Sequence, residues 1–97
     1  MVTVRLRTHA KEKMQIRQID PRTIEDVLSS PEQRFYDTLR GSEVAAKAVK
    51  LDEGVSTLAV IYARRDDERY VITVYPSRRF KAEADRKVKS GRWVRIT

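Results

Sequence analysis

The chain contains no cysteine and a single histidine, His9. Without thiols there is no disulfide framework and no thiolate nucleophile, and a zinc site built from histidine and cysteine is excluded. Glycine and proline are scarce, three of each, and no repeat, low-complexity tract or linker divides the sequence. It therefore reads as one domain over residues 1–97. No run approaches the ~18–20 apolar residues of a membrane-spanning helix. The first nine residues alternate charged and apolar side chains and lack the apolar segment, ~7–15 residues long, of a secretory leader. A cytoplasmic location without membrane contact is the resulting expectation.

What is abundant is charge. Charged residues make up 36% of the chain and the net charge is +7, and the excess is unevenly placed. Residues 1–17 hold five Lys/Arg against Glu12 alone, and residues 77–97 hold eight against Glu83 and Asp85. The stretch between them has eight basic and eleven acidic residues. Basic ends around an acidic waist attract phosphate backbones, so an anionic polymer is the expected partner. The plainer alternative is a charge-rich surface that only maintains solubility.

The element order follows from periodicity and capping. Val2 to Leu6 alternates like a half-buried strand or an extended lead-in. Thr8 caps a helix to about Gln18, and Asp20-Pro21 opens a second helix that Ser29-Ser30-Pro31 ends. Arg34 to Asp37 reads as a short strand and Arg40-Gly41-Ser42 as a turn. Residues 43–51 are helical by their alanines, yet a strand suits their neighbours better. Asp52-Glu53-Gly54 makes a turn. Residues 55–64 and 69–75 form a hairpin about Arg65 to Glu68, with Pro76 ending the second strand. Residues 79–90 form a basic helix stopped by Gly91, and residues 93–96 a short strand or packed tail. The expected fold is α+β: two N-terminal helices on a roughly four-stranded antiparallel sheet, then the basic helix and tail.

At about 100° per residue, His9, Lys13 and Arg17 share the arc of the first helix that holds Ala10 and Met14. Cations on an inward arc must snorkel, pair or line a cleft. For His9 the plainer reading is a partly buried, hydrogen-bonded side chain. For Arg17 it is an ion pair with the second helix. Alternation in 69–75 puts Tyr70, Ile72 and Val74 on one face and Arg69, Val71, Thr73 and Tyr75 on the other. The second set is either a binding surface or a wet sheet face.

The segment Thr8-His9-Ala10-Lys11-Glu12-Lys13-Met14-Gln15-Ile16-Arg17-Gln18-Ile19, together with Val71-Ile72-Thr73-Val74-Tyr75, resembles the domain of unknown function family numbered 4258. The stretch from Ala63-Arg64-Arg65 through the strand to Ser77-Arg78-Arg79 is also similar to BrnT-type toxins. The resemblance spans about residues 8–80. It implies a barnase-, colicin- and RelE-like fold and metal-independent endoribonuclease chemistry, in which the 2′-hydroxyl of RNA attacks the adjacent phosphorus. His9 and Arg17 match the helix motif, and Thr73 and Tyr75 the strand motif. Lys13 stands where the family commonly has arginine, which keeps the charge and loses the planar fork.

By that resemblance His9, Arg17 and Tyr75 would be catalytic. His9 is the residue whose ordinary pKa, near ~6.5, suits proton transfer at neutral pH. Lys13, Thr73, Arg64, Arg78 and Arg79 would hold substrate, and the remaining C-terminal cations would add backbone affinity. Trp93 would stack a base or, more simply, fill the core. No metal or cofactor is required. RNA is the expected substrate and an antitoxin protein a further partner. The alternative is a non-catalytic domain that binds nucleic acid or a protein.

Overall fold

The computed structural model of the chain describes residues 2–52 and 54–96. Nine elements follow one another: β1 (Thr3–Leu6), α1 (Thr8–Arg17), α2 (Pro21–Ser29), β2 (Gln33–Asp37), β3 (Glu43–Leu51), β4 (Gly54–Arg65), β5 (Glu68–Ser77), α3 (Phe80–Lys89) and β6 (Trp93–Arg95). The strands form a six-stranded sheet in the order β1-β5-β4-β3-β2-β6. The sheet is thus larger than the four antiparallel strands expected, and it is mixed, because β1 pairs with β5 in parallel. The N-terminal strand and the tail each add an edge.

Helices cover both faces of the sheet. Ala10 and Met14 of α1 and Ile24 and Val27 of α2 pack on Leu58, Val60 and Val71. On the opposite face Phe80 and Ala84 of α3 join Phe35, Val44, Ala59 and Trp93. The rings of Phe35, Phe80 and Trp93 lie 5.1–6.1 Å apart, centroid to centroid. Such tilted pairs contribute about 0.5–1.5 kcal/mol each beyond their buried area. Trp93 is therefore core, and a buried indole of this kind cannot stack a base.

Burial on two faces explains why β3 is a strand despite its alanines. Ala45 belongs to the core under α2 and Ala46 to the core under α3, so alternate residues are wanted on opposite sides. Pro76 does not end β5, which runs on to Ser77 opposite Thr57. Beyond Val71 this strand has no β1 neighbour, and an edge tolerates a residue without an N–H. Asp20 caps α2 by accepting from the Arg22 N–H at 2.8 Å. The first helix is instead capped at Arg7, with no side-chain bond, so Thr8 is its first residue rather than its cap. Gly91, at φ 79°, takes the left-handed turn that follows α3. Glu53, the middle residue of the turn expected at 52–54, lies outside the described residues.

Two expectations about side-chain direction fail. In β5 a bulge intervenes: Ile61 faces Thr73 and Tyr62 faces Val71, leaving Ile72 as an extra residue. The pleat therefore changes phase, and Val71 and Val74 both point into the α1/α2 core. In α1 the inward arc is narrower than the wheel suggests. Only Ala10 and Met14 are buried, while His9 and Arg17 are exposed and Lys13 is half-buried. A short, strongly charged helix whose buried seam is only Ala10 and Met14 does not pull its flanking cations inward.

That seam makes a direct prediction. Met14→Ala is expected to destabilise by about 2–4 kcal/mol, whereas Ile16→Ala, at a side chain 75% exposed, should stay within about 0.5 kcal/mol. Urea denaturation followed by circular dichroism compares the two; equal losses would mean that α1 docks in a different rotation.

Candidate functional site

The α1/α2 face of the sheet is covered only in part. With α1 packed on β5 and α2 on β3 and β4, the outer strands β2 and β6 keep Tyr36 43% and Val94 52% exposed. Registry aligns a row that runs from this open part into the core: Val94 beside Tyr36, Tyr36 beside Glu43, and Glu43 beside buried Tyr62. Arg34 and Arg64, two residues along their strands from Tyr36 and Tyr62, flank the row on the same face.

Glu43 organises this group. Its Oε1 accepts from Arg34 Nη2 at 2.8 Å, from the Tyr62 hydroxyl at 2.9 Å and from Arg64 Nη2 at 3.2 Å. Its Oε2 lies 3.1 Å from Arg64 Nε. The Glu43 side chain is 16% exposed, Arg34 24% and Arg64 42%. Burial works to raise the Glu43 pKa. The bonds from Arg34 and Tyr62 and the two guanidinium charges outweigh it, so the carboxyl sits below its ordinary range. Burial and the bond to Glu43 push the Tyr62 phenol the other way, upward. An ionised acid and a protonated phenol are thus held side by side.

The cluster opens into a groove of about 1030 Å³, lined among others by Arg22, Arg34, Tyr62, Arg64 and Arg69, with Leu28 of α2 as apolar wall. Arg69 is fixed at the hairpin, donating to the Asp66 and Glu68 carbonyls at 3.0 and 3.1 Å. Asp26, which with Glu25 also lines the groove, binds Lys47 at 2.9 Å and ties α2 to β3.

The residues expected from sequence do not meet at one place. Arg64 lies in this groove. His9 is exposed on the first turn of α1, and Lys13 sits half-buried on the same helix. Arg17 and Arg78 line a second depression of about 660 Å³ with Asp52 and Pro76. Thr73 and Tyr75 line a third cavity on the α3 face, and Arg79 is exposed at the start of α3. The sheet itself separates His9 and Arg17, on the α1 side, from Tyr75. Tyr75 donates to Glu83 of α3 at 2.5 Å, and burial with that bond raises its pKa far above the ordinary phenol range.

Arg34, Tyr36, Glu43 and Tyr62 were missed in the sequence. Alternation along Gln33 to Asp37 already puts Arg34 and Tyr36 on one side, but nothing local says that side stays uncovered. Glu43 opened the segment that wavered between helix and strand.

Among the described residues no cluster of His, Asp and Glu could hold a metal ion, and no helix is long and apolar enough to cross a membrane. Residues 6–76 match the family described as Domain of unknown function (DUF4258). No curated protein matches, and no solved structure matches.

The lowered carboxyl of Glu43 ties stability to pH. A depressed folded-state pKa means stability that is present above the unfolded value, 4.5, and lost as pH falls through the folded one. Glu43→Gln should therefore be less stable than the parent at pH 7, with the gap closing as pH drops below 4.5. Thermal melts of both proteins across that range test it; a gap independent of pH would mean the carboxylate charge is not what holds Arg34 and Arg64.

Proposed function

The chain belongs to the DUF4258 family, described only as a domain of unknown function, and from its site geometry we propose that it binds single-stranded RNA across the open half of the α1/α2 sheet face. The observation that carries this reading is the pair Arg34 and Arg64, fixed on Glu43 in a groove beside exposed Tyr36. Each guanidinium has five N–H donors and commits one or two to Glu43, leaving the others for phosphate oxygens. Because their planes are already held, little side-chain entropy is lost on binding. Tyr36 offers the flat ring on which an unpaired base stacks. RNA rather than DNA is chosen from the resemblance of the stretch from Ala63 to Arg79 to BrnT-type ribonuclease toxins.

A second reading, metal-independent endoribonuclease activity on the same face, has one observation in its favour. Glu43, kept ionised, lies 2.9 Å from the Tyr62 hydroxyl, kept protonated. In such a reaction the 2′-oxygen bonds to the adjacent phosphorus and the bond to the 5′-oxygen breaks. Glu43 takes the 2′-hydroxyl proton, Tyr62 supplies one to the leaving oxygen, and their mutual hydrogen bond returns the proton. Arg34 and Arg64 stabilise charge on the phosphoryl oxygens. His9 and Tyr75 have no part in this version.

Fluorescence anisotropy with a short labelled single-stranded RNA tests the binding reading. Arg64→Met should raise Kd about tenfold, near 1.4 kcal/mol. Tyr36→Ala should remove the ~1–3 kcal/mol of a stacked base, and His9→Ala should change nothing. Affinity should fall with salt by a log–log slope of about 0.7 per phosphate contacted. Binding that ignores salt, or that Arg64→Met and Tyr36→Ala leave intact, rules the reading out. Incubating the same RNA and resolving the products separates the second reading: cyclic-phosphate ends that persist in His9→Ala and vanish in Tyr62→Phe support it, and intact RNA rejects it.

A further inference from the structure

The opposite face of the sheet holds a cavity of about 590 Å³ between β4, β5 and α3, within the range of small-ligand sites. Two of the residues that border it, Ser42 and Trp93, are 5% and 2% exposed. Among the described residues, the Ser42 hydroxyl and the Trp93 indole N–H are buried with no hydrogen-bond partner. Two orphaned donors beside one cavity are costly, since each forfeits about 1–3 kcal/mol of lost hydration unless a bound group supplies an acceptor.

The other polar groups around the cavity are mostly engaged. Asp37 accepts from Arg92 Nε at 3.0 Å and from the Leu39 and Arg40 N–H groups at 2.9 and 3.0 Å. Glu83 accepts from Tyr75. Both carboxylates are thus occupied from within, while Lys87, whose Nζ stands 5.0 Å over the Trp93 ring, adds a positive charge at the same wall. Ile61 and Ile72 supply apolar lining. Ile72 reaches this face because it is the extra residue of the β5 bulge, which gives that irregularity a use.

We infer that this cavity is a binding site for a small organic anion: an oxyanion that accepts from Ser42 and Trp93 near Lys87, on an apolar body packed against Ile61 and Ile72. Carboxylate and phosphate ester share that chemistry. The site lies across the sheet from the RNA surface and does not depend on it.

Trp93 is the sole tryptophan, so a ¹H–¹⁵N spectrum holds one indole N–H signal to report on the site. The full chain is titrated with benzoate, with phenyl phosphate and with neutral benzamide. A saturable downfield shift with benzoate or phenyl phosphate is expected, the stronger binder identifying the headgroup, and benzamide should leave the signal in place. Lys87→Met should weaken binding about tenfold and Ser42→Ala about threefold, an order of effect set by one charge and one hydrogen bond. Because Ser42→Ala removes a buried hydroxyl without a partner, its melting temperature should equal or exceed the parent's. No saturable shift with either anion, an equal shift with benzamide, or affinity unchanged in both variants overturns the inference. A clear loss of stability in Ser42→Ala does so too, since it would reveal an internal partner for the hydroxyl.

Discussion

Burial of the β4–β5 ladder on both faces, with its one-residue offset at Ile72, constrains everything else in the molecule. Tyr62, Val71 and Val74 face the α1/α2 core, while Ile61, Ile72 and Tyr75 face α3. A strand pair that is apolar on both sides must be covered twice. The N-terminal helices take one side and the single C-terminal helix takes the other. Ten residues of α3 cannot cover that side alone, so β6 adds Trp93 to close the core around Phe35 and Phe80. The bulge then decides which β5 side chains reach which side. Without it, Val71 and Val74 could not enter the same core.

Placing helices on both faces also distributes the charge. The basic residues of α1 lie on one side of the sheet and those of α3 on the other, and the two basic ends approach each other where Arg17 and Arg78 line one depression. Each is exposed and individually weak, because solvent screens an exposed pair such as Arg5–Glu68. The charges with fixed geometry come from the middle of the chain, which carries more acidic than basic residues. There Glu43, mostly buried, holds Arg34, Arg64 and Tyr62 in one arrangement. A single buried carboxylate thereby converts two flexible arginines into an ordered surface. Net charge gives no hint of this, because Glu43 lowers the count while creating the site.

Local signals identified much of the fold. The Asp20-Pro21 start, the 55–64/69–75 hairpin and Gly91 after α3 each rest on backbone chemistry within a few residues. The helix phase of Ala10 and Met14 also held. What failed were inferences about direction. His9 and Arg17 were placed inward by a wheel that assumes a wide buried stripe, and the short α1 buries two side chains. The faces of β5 were assigned from a strict period of two, which one inserted residue reverses. Of the residues expected to form a site, Arg64 lies in the arginine-lined groove. Thr73 and Tyr75 share a cavity on the other face, and Arg17 shares a depression with Arg78.

The sequence by itself determined most of the element order, the central hairpin, the lack of thiol chemistry and the basic ends, because each depends on composition or on neighbours a few positions apart. Only the tertiary structure decided that β1 and β6 extend the sheet, that α1 and α3 lie on opposite faces, and that Arg34, Glu43, Tyr62 and Arg64 meet. Those outcomes depend on pairings between distant residues and on a bulge that shifts register. A one-residue shift sends a side chain through the sheet to a different chemical environment.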